Sequence, residues 1–330
     1  MRIALDAMGG DNAPEQVVQG AVEAAAHVQG DIVLVGREEI LRDLLPAGPH
    51  PRISIVNAEE VVAMDETPTE ALRLKRNSSI SVAVELVKQD EADAFVSAGN
   101  TGACTAASLL AWRTLDGAHR PAIASPFPSR TGQFVLLDAG ASPDVEPVSL
   151  VEFAHMGRAY ASSVWNRPNP TVHLLNIGEE PGKGNAFSKQ AYELLSAHSW
   201  FAGNIEGKDM FDKPCDVVVC DAFVGNIALK TAQGVAELVF REFRTQVPSG
   251  LGGLMFLPMR KLLAPMKKKL DYAEYGGSPL LGLNHLCVIC HGRSSSRAIR
   301  NALSMTFRAL EHDIVGQMRS ALAAPVEASR

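Results

Sequence analysis

The chain has 330 residues, of which 46% are hydrophobic and 21% are charged, and this balance excludes an intrinsically disordered protein. Its formal net charge of −6 argues against a dedicated nucleic-acid-binding protein, because such a protein needs a basic surface to neutralise phosphates. The first residues, MRIALDAMGG, lack a basic region followed by an apolar run, so we expect no secretory signal. No run reaches the roughly 18 apolar residues of a membrane span, so we expect no membrane-spanning helix.

Eight short apolar runs of β-forming residues alternate with helical patterns along the chain. They comprise residues 2–5, 32–35, 53–56, 94–97, 134–137, 172–176, 217–220 and 286–290. Such alternation predicts an α/β fold with a largely parallel sheet, in which ligands bind at the carboxyl ends of the strands. No repeat or linker-like stretch interrupts the pattern, so we expect a single α/β catalytic domain over residues 1–330.

Polar, glycine-containing segments follow six of these runs and supply the candidate binding residues. These are Asp6, Gly9, Gly10 and Asp11, then Ser97, Gly99, Asn100, Thr101 and Gly102, then Asp138, Lys183, Asp221 and Asn226, and finally His291, Gly292 and Ser294. Each segment alone fits an ordinary turn, but six of them at strand ends predict a ligand site along that edge.

The stretch FVSAGNTGACTAAS, residues 95–108, passes from a strand into an Ala-rich helix. In one interpretation Gly99 supplies a positive φ and Asn100 caps the helix. In the other, the backbone N–H groups of this loop and helix start bind an anion. The segment by itself leaves both open.

Three side chains have both a structural and a chemical interpretation. Lys183 is either a solvated loop residue or an ammonium group that binds phosphate or an oxyanion. Asn226 caps a helix that begins at Ile227, contributes its amide to the site, or does both. His291 is either structural or a general acid or base.

Nucleotide and metal sites are not indicated. No G-x-G-x-x-G motif follows the first run, and Gly184 stands where a phosphate-loop motif requires Ser or Thr. Cys287 and Cys290 have the spacing of half a zinc site, but on a strand they should point to opposite faces. We therefore expect no metal ligands among the cysteines.

Residues 251–270 combine apolar positions at helical spacing with a cluster of positive charge, formed by Arg260, Lys261, Lys267, Lys268 and Lys269. Together with the stretch upstream they predict an amphipathic helical hairpin over 235–272 that projects from the domain. Leu254, Phe256 and Leu257 near its bend favour contact with an anionic membrane surface. Two alternatives are an acidic protein partner and a dimer interface.

Motifs across almost the whole chain resemble, in the same order, the PlsX family of bacterial phosphate acyltransferases. They are LDAMGGD, ETPTEALRLKRNSS, FVSAGNTGA, LLDAGA, LLNIGEEPGKGN, GNIEGKD, CDVVVCDAFVGNIALKT, EYGGSPLLGL and CHGRSS. The resemblance implies a three-layer α/β/α fold with a mostly parallel sheet, similar to isopropylmalate dehydrogenase and phosphotransacetylase. It also implies a homodimer that transfers a long acyl chain from acyl carrier protein to inorganic phosphate, without a metal or organic cofactor.

The acyl phosphate so formed would serve phospholipid synthesis. Expected partners are therefore acyl carrier protein, an anionic membrane surface and the membrane-bound glycerol-3-phosphate acyltransferase that uses acyl phosphate. The implied location is the cytoplasm, with peripheral attachment to the inner face of the cell membrane. By the same resemblance, Lys183 and Asn226 occupy the catalytic positions, and the SAGNTGA, DAMGGD and HGRSS segments surround the phosphate.

Three positions depart from the family's usual motifs: Ala222 replaces an expected glycine, Ser142 an expected asparagine and His285 a small residue. Two other functions stay open. One is phosphotransacetylase-like transfer from acyl-coenzyme A, and the other is a membrane-surface scaffold without chemistry.

Overall fold

The computed structural model describes residues 1–245, 274 and 276–323. The residues predicted to contact a membrane or carrier protein lie outside the described residues. They are Leu254, Phe256, Leu257, Arg260, Lys261 and Lys267 to Lys269. Within the described ranges, none of the helices combines the length and apolar content that crossing a bilayer requires.

The described strands form two sheets that are mostly parallel. The seven-stranded sheet has the spatial order β3 (Ile53–Asn57), β2 (Asp31–Gly36), β1 (Arg2–Asp6), β4 (Ala94–Ser97), β12 (Leu286–Ile289), β11 (Ser278–Leu281) and β5 (Ala122–Ile123). The five-stranded sheet has the order β6 (Ser125–Ser129), β7 (Gly132–Leu137), β10 (Val217–Val219), β8 (Val172–Asn176) and β9 (Phe201–Glu206). Antiparallel pairing is found where β11 meets β12 and β5, and where β6 meets β7.

All eight predicted runs are strands, so the α/β prediction is confirmed. The sequence patterns missed β5, β6, β9 and β11. Prolines explain two of these omissions, because Pro126 and Pro128 in β6 and Pro279 in β11 cannot donate to a ladder and argue against a strand. β6 tolerates its prolines since it is an edge strand.

Helices cover both faces of the sheets in the described ranges. They are α1 (Glu15–Ala25), α2 (Glu38–Leu44), α3 (Pro68–Leu74), α4 (Ser79–Lys88), α5 (Thr101–Trp112), α6 (Pro147–Trp165), α7 (Ala186–Leu195), α8 (Ala222–Thr245), α9 (Ser296–Glu311) and α10 (Ile314–Ala323).

Strand alternation divides the core between the two faces. Leu5 of β1 packs in a cluster with Phe153 of α6 and Ile299 of α9, whereas the preceding Ala4 packs in a second cluster with Val84 of α4. The first cluster also contains Leu137 of β7, so one apolar core joins the two sheets. The result is the α/β/α layering that was predicted.

The cysteines follow the same alternation. Cys287 lies in the cluster on the α4 face, while Cys290 lies in the cluster on the α9 face, so they point to opposite sides as expected. Both thiols are buried, and burial raises the pKa of each to about 12.

Helix α8 differs from the prediction at its start. It begins at Ala222 and runs for 24 residues, so Asn226 lies inside the helix and the prediction that Asn226 caps it is wrong. The cap is Asp221, whose Oδ1 accepts a 2.9 Å hydrogen bond from the Val224 amide. The hairpin predicted to begin at residue 235 therefore starts as a continuation of α8, and its remainder lies outside the described residues.

Candidate active site

The loops after β1 and β4 touch at the carboxyl edge of the larger sheet. A Cβ added at Gly9 would lie 2.2 Å from Asp6 Oδ2 and 2.8 Å from the Gly99 backbone, so the first glycine is required for close approach of the two loops. Gly99 itself does not have a positive φ, which corrects the expectation that its role is to allow one. Gly10 does, with φ +111°.

Asp6 is fully buried between these loops and binds protein groups. Its Oδ2 accepts a 2.7 Å hydrogen bond from Ser97 Oγ, and its Oδ1 accepts one from the Met8 amide. Ser97 Oγ in turn accepts a hydrogen bond from the Gly99 amide. Burial raises the pKa of the Asp6 carboxyl, although these donors oppose that change. Asp6 and Ser97 therefore fix the loops, and the Gly99 amide is already engaged.

Asn100 caps α5 and also anchors a neighbouring loop. Its Oδ1 accepts a 3.0 Å hydrogen bond from the Ala103 amide, and its Nδ2 lies within 3.1–3.2 Å of the carbonyl oxygens of Ala63, Met64 and Glu66. The structural interpretation of Asn100 is thus confirmed. The two amides after it, those of Thr101 and Gly102, stand in the first turn of α5, where the helix itself offers no acceptor.

Asp138 organises the loop after β7. Its Oδ1 accepts hydrogen bonds of 2.9 Å from the amides of Ile123, Gly140 and Ala141, and its Oδ2 accepts one of 2.8 Å from Ser142. Burial raises the pKa of this carboxyl while the four amides oppose the rise. With its oxygens directed at backbone donors, Asp138 shapes the site rather than facing it.

A cavity of about 410 Å³, called the polar cavity because its wall is less apolar than that of the groove described below, brings five of the predicted residues together. They are Thr101, Gly102, Asn226, His291 and Ser294. Nine other predicted residues do not line the cavity but hold the loops beside it: Asp6, Asp11, Ser97, Asn100, Asp138 and the glycines at 9, 10, 99 and 292. For example, the Asp11 amide donates a 2.7 Å hydrogen bond to the Gly292 carbonyl.

His291 is neutral in this cavity. The Arg293 amide donates to His291 Nδ1 at 3.2 Å, so the neutral ring carries its proton on Nε2. Burial and the positive charges of Lys230 and Arg293 lower the pKa of His291, while Asp11 and Glu237 oppose that effect. A neutral ring with its Nε2 proton can donate a hydrogen bond to an anion at neutral pH.

An apolar groove of about 910 Å³ runs along a neighbouring face of α8. Its walls include Leu174, Leu175, Met210, Ile227 and Val239. Its polar end contains Asn176, Gly184, Asn185 and Asp221, and the last of these is the one predicted site residue that lines the groove.

Helix α8 contributes to the walls of both spaces, which adjoin, since Phe211, Ala232 and Ala236 line the cavity as well as the groove. Asn226, Lys230 and Gln233 follow one another at i, i+4 and i+7 and line the polar cavity. Ile227, Thr231, Val235 and Val239 follow at intervals of four and line the apolar groove. One helix therefore presents a polar stripe to one space and an apolar stripe to the other.

Lys183 stands on the loop between β8 and α7 and lines neither space. Its side chain is about half exposed, and its Nζ lies 3.9 Å from Glu180 Oε1. The adjacent residues Gly184 and Asn185 do line the groove. The structure thus puts Lys183 beside the polar end of the groove and Asn226 in the cavity, and does not bring the two side chains into one space.

The three departures from the family motifs have local explanations. Ser142 Oγ donates to the Pro121 carbonyl at 2.9 Å, and Ala222 is buried as the first residue of α8. The His285 ring packs on Trp112 with centroids 5.4 Å apart, and its burial lowers its pKa. His285 lines neither the cavity nor the groove.

One group of carboxylates has metal-like spacing. Oxygens of Glu179, Glu206 and Asp209 lie within 4.8 Å of one another at an exposed position. Lysines neutralise this group, since Lys213 pairs with Glu179 and Asp209, and Lys208 pairs with Glu206. Ion pairs among surface residues account for the arrangement.

Sequence reasoning missed Lys230 and Gln233, which line the polar cavity. Their signal was present as helical spacing from Asn226, because residues at i+4 and i+7 share its face. It was missed because Asn226 was interpreted as the start of the helix instead of a residue inside it.

The comparisons with known proteins cover almost the whole chain. The model of a family described as fatty acid synthesis protein matches residues 1–317. The phosphate acyltransferase of Heliobacterium modesticaldum is 47% identical, over 99% of this chain and 99% of that protein. The phosphate acyltransferase of Thermodesulfovibrio yellowstonii is 44% identical, over 98% of this chain and 94% of the relative.

Solved structures of phosphotransacetylases share the fold. One from Streptococcus pyogenes superposes with a TM-score of 0.63 at 19% identity and covers 94% of each chain. A branched-chain phosphotransacylase from Enterococcus faecalis gives a TM-score of 0.58 at 14% identity, over 94% of this chain and 99% of that one. These likenesses concern the fold alone, whereas the full-length sequence matches define the family: the chain belongs to the phosphate acyltransferase family, and it is a transferase.

Proposed function

We propose that this chain transfers a long-chain acyl group from acyl carrier protein to inorganic phosphate and so forms an acyl phosphate for phospholipid synthesis. The observation that carries the proposal is helix α8, which lines an apolar groove with one stripe of residues and the adjoining polar cavity with the neighbouring stripe. A long acyl chain needs the first kind of surface, and a phosphate needs the second.

The acyl chain lies in the groove in this proposal. The volume of about 910 Å³ is within the range of about 300–1,000 Å³ that holds organic ligands of moderate size. Each buried methylene contributes about 0.8 kcal/mol, so a long chain has a strong preference for such a groove over water. The polar end, near Asn185 and Asp221, receives the thioester.

Phosphate is the nucleophile. One of its oxygens attacks the thioester carbonyl, the carbon–sulfur bond breaks, and the carrier's thiolate leaves and takes up a proton. Lys183 stabilises the developing oxyanion with its ammonium group, and the Asn226 amide positions the carbonyl. No metal or organic cofactor enters this scheme, because phosphate is already nucleophilic and a thiolate is an adequate leaving group.

The acyl donor is assigned from charge and from family resemblance. Acyl carrier protein is acidic, and the basic residues between 260 and 269 give this otherwise acidic chain a complementary segment. The same segment, with Leu254 and Leu257, supports peripheral attachment to the inner face of the cell membrane. There the product would pass to the membrane-bound glycerol-3-phosphate acyltransferase.

We further propose that the chain forms a homodimer and that residues 1–330 act as one catalytic unit with the 235–272 segment projecting from it. Exposed apolar residues on α8 that line neither space support a dimer, namely Phe223 and Leu238, which are 67% and 45% exposed. Analytical ultracentrifugation tests the dimer directly.

A donor comparison tests the reaction. Release of free thiol is measured with palmitoyl-acyl carrier protein and with palmitoyl-coenzyme A, each with and without phosphate. We expect saturable, phosphate-dependent release with the carrier-protein donor. Preference for the coenzyme A donor would instead assign phosphotransacetylase-like transfer, and no release from either donor would favour a scaffold without chemistry.

A further inference from the structure

Lys230 is a positively charged residue in the wall of the polar cavity. None of the roles assigned so far involves it. It lies on α8 and, within residues 1–245, 274 and 276–323, forms no ion pair with a carboxylate. Among the described residues that line the cavity, it alone is a lysine or an arginine. An uncompensated ammonium group in a polar cavity favours an anionic ligand.

The position of Lys230 ties it to the reacting groups. It follows Asn226 by four residues, so the two side chains share one face of α8. Asn226 packs beside the loop after β7, since a Cβ added at Gly140 would lie 3.6 Å from Asn226 Cγ. An anion held by Lys230 would therefore lie beside the Asn226 amide.

A second observation is that the charge of Lys230, an exposed residue of the cavity wall, acts on His291, which lines the same cavity. His291 follows β12, and its pKa is lowered by burial and then by Lys230. Ser294, Ser125 and Ser278 also line the space and add short polar side chains. The cavity thus combines one ammonium group, a neutral imidazole and an amide, which together suit a small multiply charged oxyanion.

We propose that Lys230 binds the inorganic phosphate in the polar cavity and holds it beside Asn226 for attack on the acyl group. The inference rests on the proposed function for its reaction, while the binding site itself rests on the cavity. Lys230 acts on the nucleophile, whereas Lys183, beside the adjoining groove, acts on the acyl carbonyl.

Steady-state kinetics separate the two lysines. In Lys230→Met we expect the KM for phosphate to rise about tenfold or more, with the KM for palmitoyl-acyl carrier protein nearly unchanged. Lys230→Arg should recover much of the affinity for phosphate because it keeps the charge. Lys189→Met, on the exposed surface of α7 and away from both spaces, is the matched control and should behave as the unmodified protein.

Nuclear magnetic resonance of the His291 ring gives a readout that needs no turnover. The charged groups that act on this ring are Lys230, Arg293, Asp11 and Glu237. Adding inorganic phosphate to the unmodified protein should raise the pKa of His291, because a bound anion favours the imidazolium. Lys230→Met should respond far less at the same phosphate concentration, and His291→Gln identifies the resonance.

The outcomes distinguish the inference from the reaction on which it rests. An active enzyme whose Lys230→Met variant keeps its KM for phosphate and its His291 response would overturn the inference alone. An inactive protein whose His291 still responds to phosphate through Lys230 would support the site and overturn the reaction. An inactive protein without any response would overturn both.

Discussion

Gly9 and Gly99 act through the absence of a side chain. Their loops meet beside Asp6, where a methyl group has no room at Gly9 and would lie 3.1 Å from its nearest neighbours at Gly99. From the sequence, the segment around Gly99 was either a capped turn, with Asn100 as the cap, or an anion-binding loop. The sequence could not predict which backbone amides remain for a ligand, because the Ser97 hydroxyl that takes the Gly99 amide is itself placed by Asp6, 91 residues away along the chain.

Substitution Gly9→Ala should destabilise the protein. The new Cβ would meet the Gly99 backbone at 2.8 Å, which cannot move away without shifting β4, so we expect a loss of about 1–3 kcal/mol in the free energy of unfolding. Gly234→Ala is the control. It lies in α8 with nothing within 4 Å, and should gain about 0.5–1 kcal/mol. Urea denaturation measures both, and equal midpoints for Gly9→Ala and the unmodified protein would refute the packing argument.

Lys183→Ala tests the role of the ammonium group beside the groove. Loss of one preorganised oxyanion donor lowers turnover by about 10²–10³, and we expect a fall in kcat of that order. Because Lys183 is half exposed and has only a 3.9 Å ion pair, the folded state should be unaffected. Retention of more than about a tenth of the turnover would rule out this role.

At the scale of elements, α8 lines the proposed acyl-chain groove and the proposed phosphate cavity with different residues. Thr231 lines the groove and not the cavity, so Thr231→Trp should obstruct the acyl chain alone. We expect kcat/KM for a palmitoyl donor to fall about tenfold or more, and that for a butyryl donor to change little. The same change at Arg241, an exposed residue of α8 that lines neither space, serves as the control. Equal losses with both chain lengths would mean that the groove does not hold the chain.

The packing of α6 on the segment after α7 predicts a pH dependence of stability. His155 of α6 contacts the His198 ring, with centroids 5.2 Å apart, and His198 stacks on Trp200. Burial, together with the charges of His198 and Arg158, lowers the pKa of His155 from 6.5 to about 4. Between these values the unfolded chain binds a proton that the folded chain does not, so stability falls as the pH drops from 6.5 to 4.

His155→Gln should remove this contribution. Because the ring is partly exposed, we expect it to account for about 1–2 kcal/mol of the stability lost between pH 7 and pH 4. Urea denaturation across this range measures the change, with His27→Gln as a control on the exposed surface of the chain. An unchanged slope in His155→Gln would contradict the assigned cause.

The sequence predicted the strands better than it predicted the edges of the sheets. Continuous apolar runs such as 217–220 are unambiguous because both faces of a central strand are buried. β9 was missed because its sequence FAGNIE mixes polar with apolar residues. It lies at a sheet edge, where several of its side chains stay partly exposed. The sequence also did not predict which residues of α8 line the cavity and which line the groove, because this depends on the loops and strands that surround the helix.

At the scale of the whole molecule, the two sheets share an apolar core, and the basic segment lies between α8 and β11 in the sequence. Leu254→Glu together with Leu257→Glu should release the protein from anionic vesicles, because both apolar contact and charge attraction are weakened. Activity on soluble acyl-acyl carrier protein should persist. Vesicle flotation measures the binding, and unchanged flotation of the double variant would contradict membrane contact by this segment.

The central claim is the transfer of an acyl group to phosphate, and formation of the acyl phosphate itself tests it most directly. The protein is incubated with palmitoyl-acyl carrier protein and phosphate, and the product is trapped with hydroxylamine as the hydroxamate. We predict a hydroxamate that forms only when enzyme, donor and phosphate are all present, in proportion to the thiol released. Thiol release without any phosphate-dependent hydroxamate would contradict the account, because the acyl group would then have gone to water.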